Sequence, residues 1–129
     1  MGTSTPGGGG QTNLGVAPNV AGLLCYVPCC VGLVFAIVAA IVEKQSRFVR
    51  FHAFQSLLLH GAELVLCIGL GVAGTVLSAV SGFMGLILFP IQILLLVVLV
   101  GLAILLMIKA NAGEEYELPV IGKMARQWV

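Results

Sequence analysis

Apolar residues fill three long runs of the chain, at about 20–42, 51–80 and 83–108, and polar or charged residues crowd the gaps. A helix rising 1.5 Å per residue crosses a hydrocarbon core of about 30 Å with about 20 residues, so each run is long enough to span a bilayer. Backbone in lipid must satisfy its own hydrogen bonds, which leaves helices or closed barrels. Barrel strands alternate over about ten residues, and these runs are too long and continuous for that. The predicted fold is all-α, a three-span transmembrane helical bundle over 20–109. A disordered Gly-rich N-terminal tail at 1–19 precedes it, and an amphipathic inner-side tail at 110–129 follows. Pro28 and Pro90 fall inside runs and predict kinks. The second run is longer than a perpendicular crossing needs, which predicts an interfacial first turn and a bend near Gly61. Ser81 and Gly82 alone separate the second and third runs, so these form an antiparallel hairpin.

The second run carries a polar stripe. At about 100° per residue, His52, Ser56, His60, Glu63 and Cys67 fall within one arc of about 80°. Gly71, Gly74 and Ser78 continue it, and Gln55 lies on its edge. Such a stripe faces something other than lipid. One reading is a packing seam, where small residues permit close approach and polar ones bond across helices, with Gln92 or a second copy as partner. The other is a proton or ion path lined by His52, His60 and Glu63. Glu63 lies about 18 Å along the helix from residue 51, near mid-membrane, where a carboxylate costs on the order of 3 kcal/mol.

Composition agrees with lipid as the main solvent. Hydrophobic residues make up 60% of the chain and charged ones 9%, and the mean hydropathy is +1.14. Net charge is +1, with no basic patch of the kind that binds nucleic acid. The six basic residues are Lys44, Arg47, Arg50, Lys109, Lys123 and Arg126. With three spans, the first loop and the C-terminal tail share a side, and the uncharged tail and the Ser81–Gly82 loop share the other. The positive-inside rule then places the N-terminus outside and the C-terminus in the cytoplasm, in a bacterial inner (plasma) membrane. Arg47 and Arg50, flanked by Phe48 and Phe51, suit contact with lipid headgroups. Glu114, Glu115 and Glu117 are expected on the same side as Arg47 and Arg50, which suggests a weak ion-pair clamp between loop and tail. Val120, Ile121, Met124 and Trp128 share a helical face, which suits a short helix on the membrane surface; a frayed tail is the alternative.

Cys25, Cys29, Cys30 and Cys67 read as small packing residues rather than a metal site, which needs three or four oriented ligands. No set of nucleophile, base and orienting group can be assembled, so no enzyme, cofactor or metal is expected.

Two stretches, EKQSRFVRFHAFQS at 43–56 and KANAGEEYELPVIGKMA at 109–125, resemble a family of small bacterial and archaeal membrane proteins. These are similar to the Tic-twenty component of the chloroplast inner-envelope translocon, with MamF-type magnetosome proteins in the same broad group. Arg50, His52, Gln55, Ser56, Gly113, Tyr116 and Pro119 match the family motif. The resemblance implies an all-helical multi-span protein without catalytic residues. Its expected role is a structural or accessory subunit, linked to protein translocation or membrane organisation. The alternative is a small homo-oligomeric channel or proton conductor. The expected partners are the lipid bilayer and further copies of the chain or other membrane proteins, with no nucleic acid.

Overall fold

The computed structural model describes residues 12–129, and among these residues every regular element is a helix. The two longest are α3 (Arg47–Val80) and α4 (Gly82–Asn111), joined at Ser81 as the antiparallel hairpin the short gap requires. Both are long and apolar enough to cross a membrane. At 1.5 Å per residue, α3 extends about 50 Å and α4 about 45 Å. The Ser46 hydroxyl accepts the Val49 N–H and caps α3 four residues earlier than the apolar run suggests. No break falls at Gly61, and Pro90 lies inside α4.

The first apolar run departs from expectation. It forms α1 (Pro18–Leu24), a turn over residues 25–29, and α2 (Cys30–Val42). Contacts along α3 show the path. Gly22 sits against Phe48 and His52. The Cys25 carbonyl accepts from Ser56 Oγ, and Cys29 shares a cavity with His60 and Glu63. The chain then comes back: Ala36 and Ala39 pack with Val49 and Ala53, and the Glu43 carboxylate accepts the Ser46 N–H. The segment rises along half of α3 and returns, so α1 and α2 form a re-entrant pair rather than one kinked span. At 13 residues, α2 is about 20 Å long, too short to cross alone.

Three features make the reversal. Pro28 cannot continue α1. Cys29 takes φ 71° at the cap of α2, a left-handed backbone that side chains other than glycine rarely adopt. Gly32 lets the turn close over it, because a Cβ there would sit 2.1 Å from the Val27 carbonyl oxygen.

Both ends of the pair are pinned at the same end of the bundle. Glu43 is buried and accepts N–H groups from Asn13 (2.8 Å), Gln45 (2.8 Å) and Ser46 (2.9 Å). Asn13 Oδ1 accepts the Lys44 N–H at 3.0 Å, and Asn19 donates to the Asn111 carbonyl at 3.0 Å. Residues 13 and 19 therefore lie beside the basic loop and the end of α4, not at the opposite end as a three-span path demands. Of the tail expected to be disordered at 1–19, residues 1–11 lie outside the described residues and Asn13 is held in this clasp.

Desolvation opposes the Glu43 carboxylate, but the N–H groups of Ser46, Gln45, Asn13 and Lys44 outweigh it and hold its carboxyl below the usual range. A lowered folded-state value contributes stability that is present above the unfolded value and is lost as pH falls through the lowered one. Thermal unfolding in detergent between pH 7 and pH 3 is expected to show an acid-side loss in the wild type that is smaller in Glu43→Gln.

The core is confined to one end. Burial on α3 stops at Leu59, and on α4 it begins at Ala103. Small residues (Ala21, Ala36, Ala39, Ala53, Ala110) bring the helices close there, with Tyr26, Phe51 and Leu106 filling the space. Beyond that level, Leu64, Val65, Val72, Leu86 and Leu94 face outward, as lipid-facing residues do.

Candidate functional site

The polar stripe divides into three parts with different surroundings. The part nearest the basic loop is a buried hydrogen-bonded network, in which His52 Nε2 has no hydrogen-bond partner among the described residues. His52, Gln55 and Ser56 are fully buried. Gln55 Nε2 donates to Tyr26 Oη at 2.9 Å and to the Tyr116 carbonyl at 2.9 Å, while its Oε1 accepts the Leu118 N–H at 3.2 Å. Tyr26 Oη, already accepting from Gln55, donates to His52 Nδ1 at 3.0 Å. His52 is thus the neutral tautomer with its proton on Nε2. Phe48, Phe51 and Tyr26 surround it edge-on, with centroids 4.4, 5.2 and 5.5 Å away. Ser56 Oγ donates to the Cys25 carbonyl at 2.5 Å, fastening the re-entrant turn to α3.

The C-terminal tail covers this network. Gly113, at φ 78°, ends α4, where the Gly113 and Glu114 N–H groups donate to the Ala110 and Lys109 carbonyls and cap the helix. The chain then crosses α3 through Tyr116 and Leu118. After Pro119 it turns sharply at Val120 (φ 68°), with the Ile121 N–H on the Pro119 carbonyl at 2.8 Å. The following helix, α5 (Ile121–Arg126), buries Gly122 and Ala125 against α3 and leaves Val120, Met124 and Trp128 exposed. Ile121 packs toward the core with Leu118, so the apolar face expected on the membrane surface is shared between core and solvent. The motif positions His52, Gln55, Ser56, Gly113, Tyr116 and Pro119 therefore belong to one structural joint.

Two contacts differ from expectation. Phe48 and Phe51 are buried around His52 and do not reach headgroups. Arg50 donates to the Trp128 carbonyl at 3.1 Å and lies over Phe54, leaving Arg47 as the exposed arginine of the group. The tail acids pair within their own segment: Glu115 and Glu117 with Arg126, and Glu114 with Lys109 at 2.8 Å. Arg126 also stacks on Phe51, with its guanidinium carbon 4.5 Å from the ring centroid. The loop-to-tail link is made by the Arg50–Trp128 hydrogen bond, this stacking and the Gln55 amide rather than by a charge clamp, because the acids reach their near neighbours first.

The middle part, His60, Glu63 and Cys67, lines a cavity of about 220 Å³ between the re-entrant turn and α4. The outer part, Gly71, Gly74 and Ser78, forms a shallower hollow with Gly85 and Gln92. Gln92 Nε2 would lie 3.5 Å from a Cβ on Gly74, so the expected approach of Gln92 to the stripe is present within one chain. All four cysteines are free thiols, with Cys25 buried and the others exposed. Among the described residues, no group of three or more His, Cys, Asp or Glu is placed to hold a metal ion.

Tyr26 and Glu43 are central residues that the stripe does not reveal. A signal for Tyr26 was present, since a buried phenol usually finds a hydrogen-bond partner.

Architecture and site together define a class of small helical membrane protein: a long apolar hairpin whose base is tied by a re-entrant pair and a folded-back tail. The chain belongs to the magnetosome magnetite crystal formation protein family (MamF/MmsF), whose profile matches residues 11–125. It is 38% identical over 121 residues to a UPF0132 membrane protein of Methanocaldococcus jannaschii, covering 92% of this chain and 94% of the relative. A second such protein of that organism is 33% identical, over 89% of this chain and 72% of its own length. One from Archaeoglobus fulgidus is also 33% identical, over 86% and 94%. No solved structure matches the chain. These names support the expected small-membrane-protein family through its MamF-type side and indicate no enzymatic activity.

Proposed function

We propose that the protein is an assembling structural subunit that organises a membrane, crossing it with α3 and α4 and inserting α1 and α2 from one side only. The observation that carries this reading is the uncovered outer hairpin. Gly71, Gly74, Ser78, Gly85 and Gln92 lie together along α3 and α4, and the re-entrant pair does not reach them. Small residues admit a neighbouring helix closely and an amide in hydrocarbon gains from a partner, so this seam favours association with further copies. The basic residues at the base favour the cytoplasmic side for that end, together with residues 12–19 and α5. Native mass spectrometry in lipid nanodiscs tests the reading. A defined homo-oligomer that Gly74→Leu dissociates supports it; a monomer indifferent to that change contradicts it. Stoichiometric co-purification of a foreign translocon subunit would favour the import-linked role instead.

The conducting alternative needs a continuous polar path. His52, Gln55 and Ser56 are locked in side-chain and backbone hydrogen bonds beneath the tail, which interrupts such a path between Glu63 and the basic end. Proton flux into proteoliposomes is therefore expected to be at background, and unchanged in Glu63→Gln. Flux well above empty vesicles that Glu63→Gln abolishes would restore the conductor.

A further inference from the structure

The re-entrant turn ends at the level of His60, and the 220 Å³ cavity opens just beyond it between α3 and α4. Cys29, Cys67, Leu96 and Val100 on its rim are exposed, so it is reached from the lipid. The wall is largely apolar, with the Tyr26 ring and two thiols among aliphatic side chains, and His60 and Glu63, one helical turn apart, interrupt it. His60 Nδ1 lies 2.9 Å from the Ser56 carbonyl oxygen and 3.1 Å from Ser56 Oγ. A carbonyl only accepts, so Nδ1 carries the proton and Nε2 of the neutral ring is left as an acceptor. Among the described residues, Glu63 has neither an ion pair nor a side-chain hydrogen bond, and the donors here do not amount to a metal site.

We propose that this cavity binds a neutral, lipid-soluble molecule with a hydroxylated aromatic head, a phenol or quinol. Its hydroxyl donates to His60 Nε2, and Glu63 is its second polar partner. Depth, size and chemistry each select this class. His60 lies about 20 Å along α3 from Arg47, so a ligand arrives through lipid, where charge is costly. A dry cavity of about 150 Å³ accepts benzene, so 220 Å³ accommodates a substituted or fused ring. Polar groups left unpaired in an apolar wall discriminate against a ring that lacks the hydroxyl.

The test is equilibrium binding of 1-naphthol to the full-length protein in nanodiscs, with naphthalene as the ring without a hydroxyl. Saturable binding of naphthol above empty nanodiscs is expected, about tenfold or more tighter than naphthalene. His60→Phe is expected to weaken it about tenfold, and the lipid-facing Val72→Leu to leave it unchanged. Should His60→Phe fail to fold, Leu99→Trp, which fills the cavity and keeps the polar pair, is expected to abolish binding. Equal binding of the two rings overturns the proposal. So does an absence of saturable binding, the result if an acyl chain or a second copy occupies the cavity.

Discussion

Gln55→Leu is expected to destabilise the protein by about 3 kcal/mol or more, from the loss of one amide. Gln55 is fully buried and serves three partners from two distant segments, Tyr26 on the re-entrant turn and Tyr116 and Leu118 on the tail. Leucine matches its bulk but leaves the Tyr116 carbonyl and the Leu118 N–H without that partner. Each buried orphan costs roughly 1–3 kcal/mol, far more than the net gain from an ordinary hydrogen bond. The loss also frees the tail. Tryptic cleavage at Lys123 should accelerate in step with the fall in unfolding midpoint, because α5 docks directly beneath the clamp: a Cβ on Gly122 would lie 2.7 Å from Gln55 Oε1. A loss below about 1 kcal/mol, with unchanged proteolysis, would mean that the tail is held by something other than this amide.

A second large effect is expected at Gly32, and its sign opposes helix propensity. Alanine in a helix is favoured over glycine by about 1 kcal/mol, so Gly32→Ala would ordinarily stabilise α2. Here the added methyl meets the Val27 carbonyl at 2.1 Å, the Val27 nitrogen at 2.9 Å and the Cys25 carbonyl at 3.0 Å. These are backbone atoms of the turn and cannot rotate away. The variant is expected to lose about 3 kcal/mol or more in denaturant unfolding, at or beyond the upper end of ordinary overpacking. Gly101→Ala is the control. Nothing lies within 4 Å of its Cβ, so it should be neutral or stabilising by up to about 1 kcal/mol. If the two substitutions behave alike, the turn does not close over Gly32.

The long hairpin was legible in the sequence because two long, largely apolar runs separated by Ser81 and Gly82 leave little choice of connection. The re-entrant pair was not. Hydropathy measures how apolar a segment is and carries no information on direction, so residues 20–42 read equally well as one crossing or as an ascent and return. Pro28 marks the place of the break, but a kink and a reversal share that residue. Charge could not separate them either. The loop at 43–47 and the chain after α4 share a side in both paths, and the segment whose side differs contains no charged residue. The stripe was legible as one face of α3, yet what covers it was not. His52 and Gln55 are sealed by a tail some sixty residues away, and Glu63 faces a cavity bounded by α4. Helical periodicity gives a face and leaves its neighbour unnamed. The same limit assigned Phe48 and Phe51 to headgroups, since an aromatic residue beside arginine fits an interface and a histidine cage alike.

In the re-entrant fold, residues 18–42 enter and leave the membrane on the side of the basic loop. This path is tested most directly by side-specific labelling with a membrane-impermeant maleimide. Single cysteines at Val16, Lys123 and Gly82 are introduced where Cys25, Cys29, Cys30 and Cys67 have been replaced by alanine. All three positions are exposed, and Gly82 marks the far end of the hairpin. Val16→Cys should react from the same face as Lys123→Cys and be protected on the face where Gly82→Cys reacts. Labelling of Val16→Cys together with Gly82→Cys would mean that the first apolar segment crosses the bilayer, and would contradict the re-entrant fold.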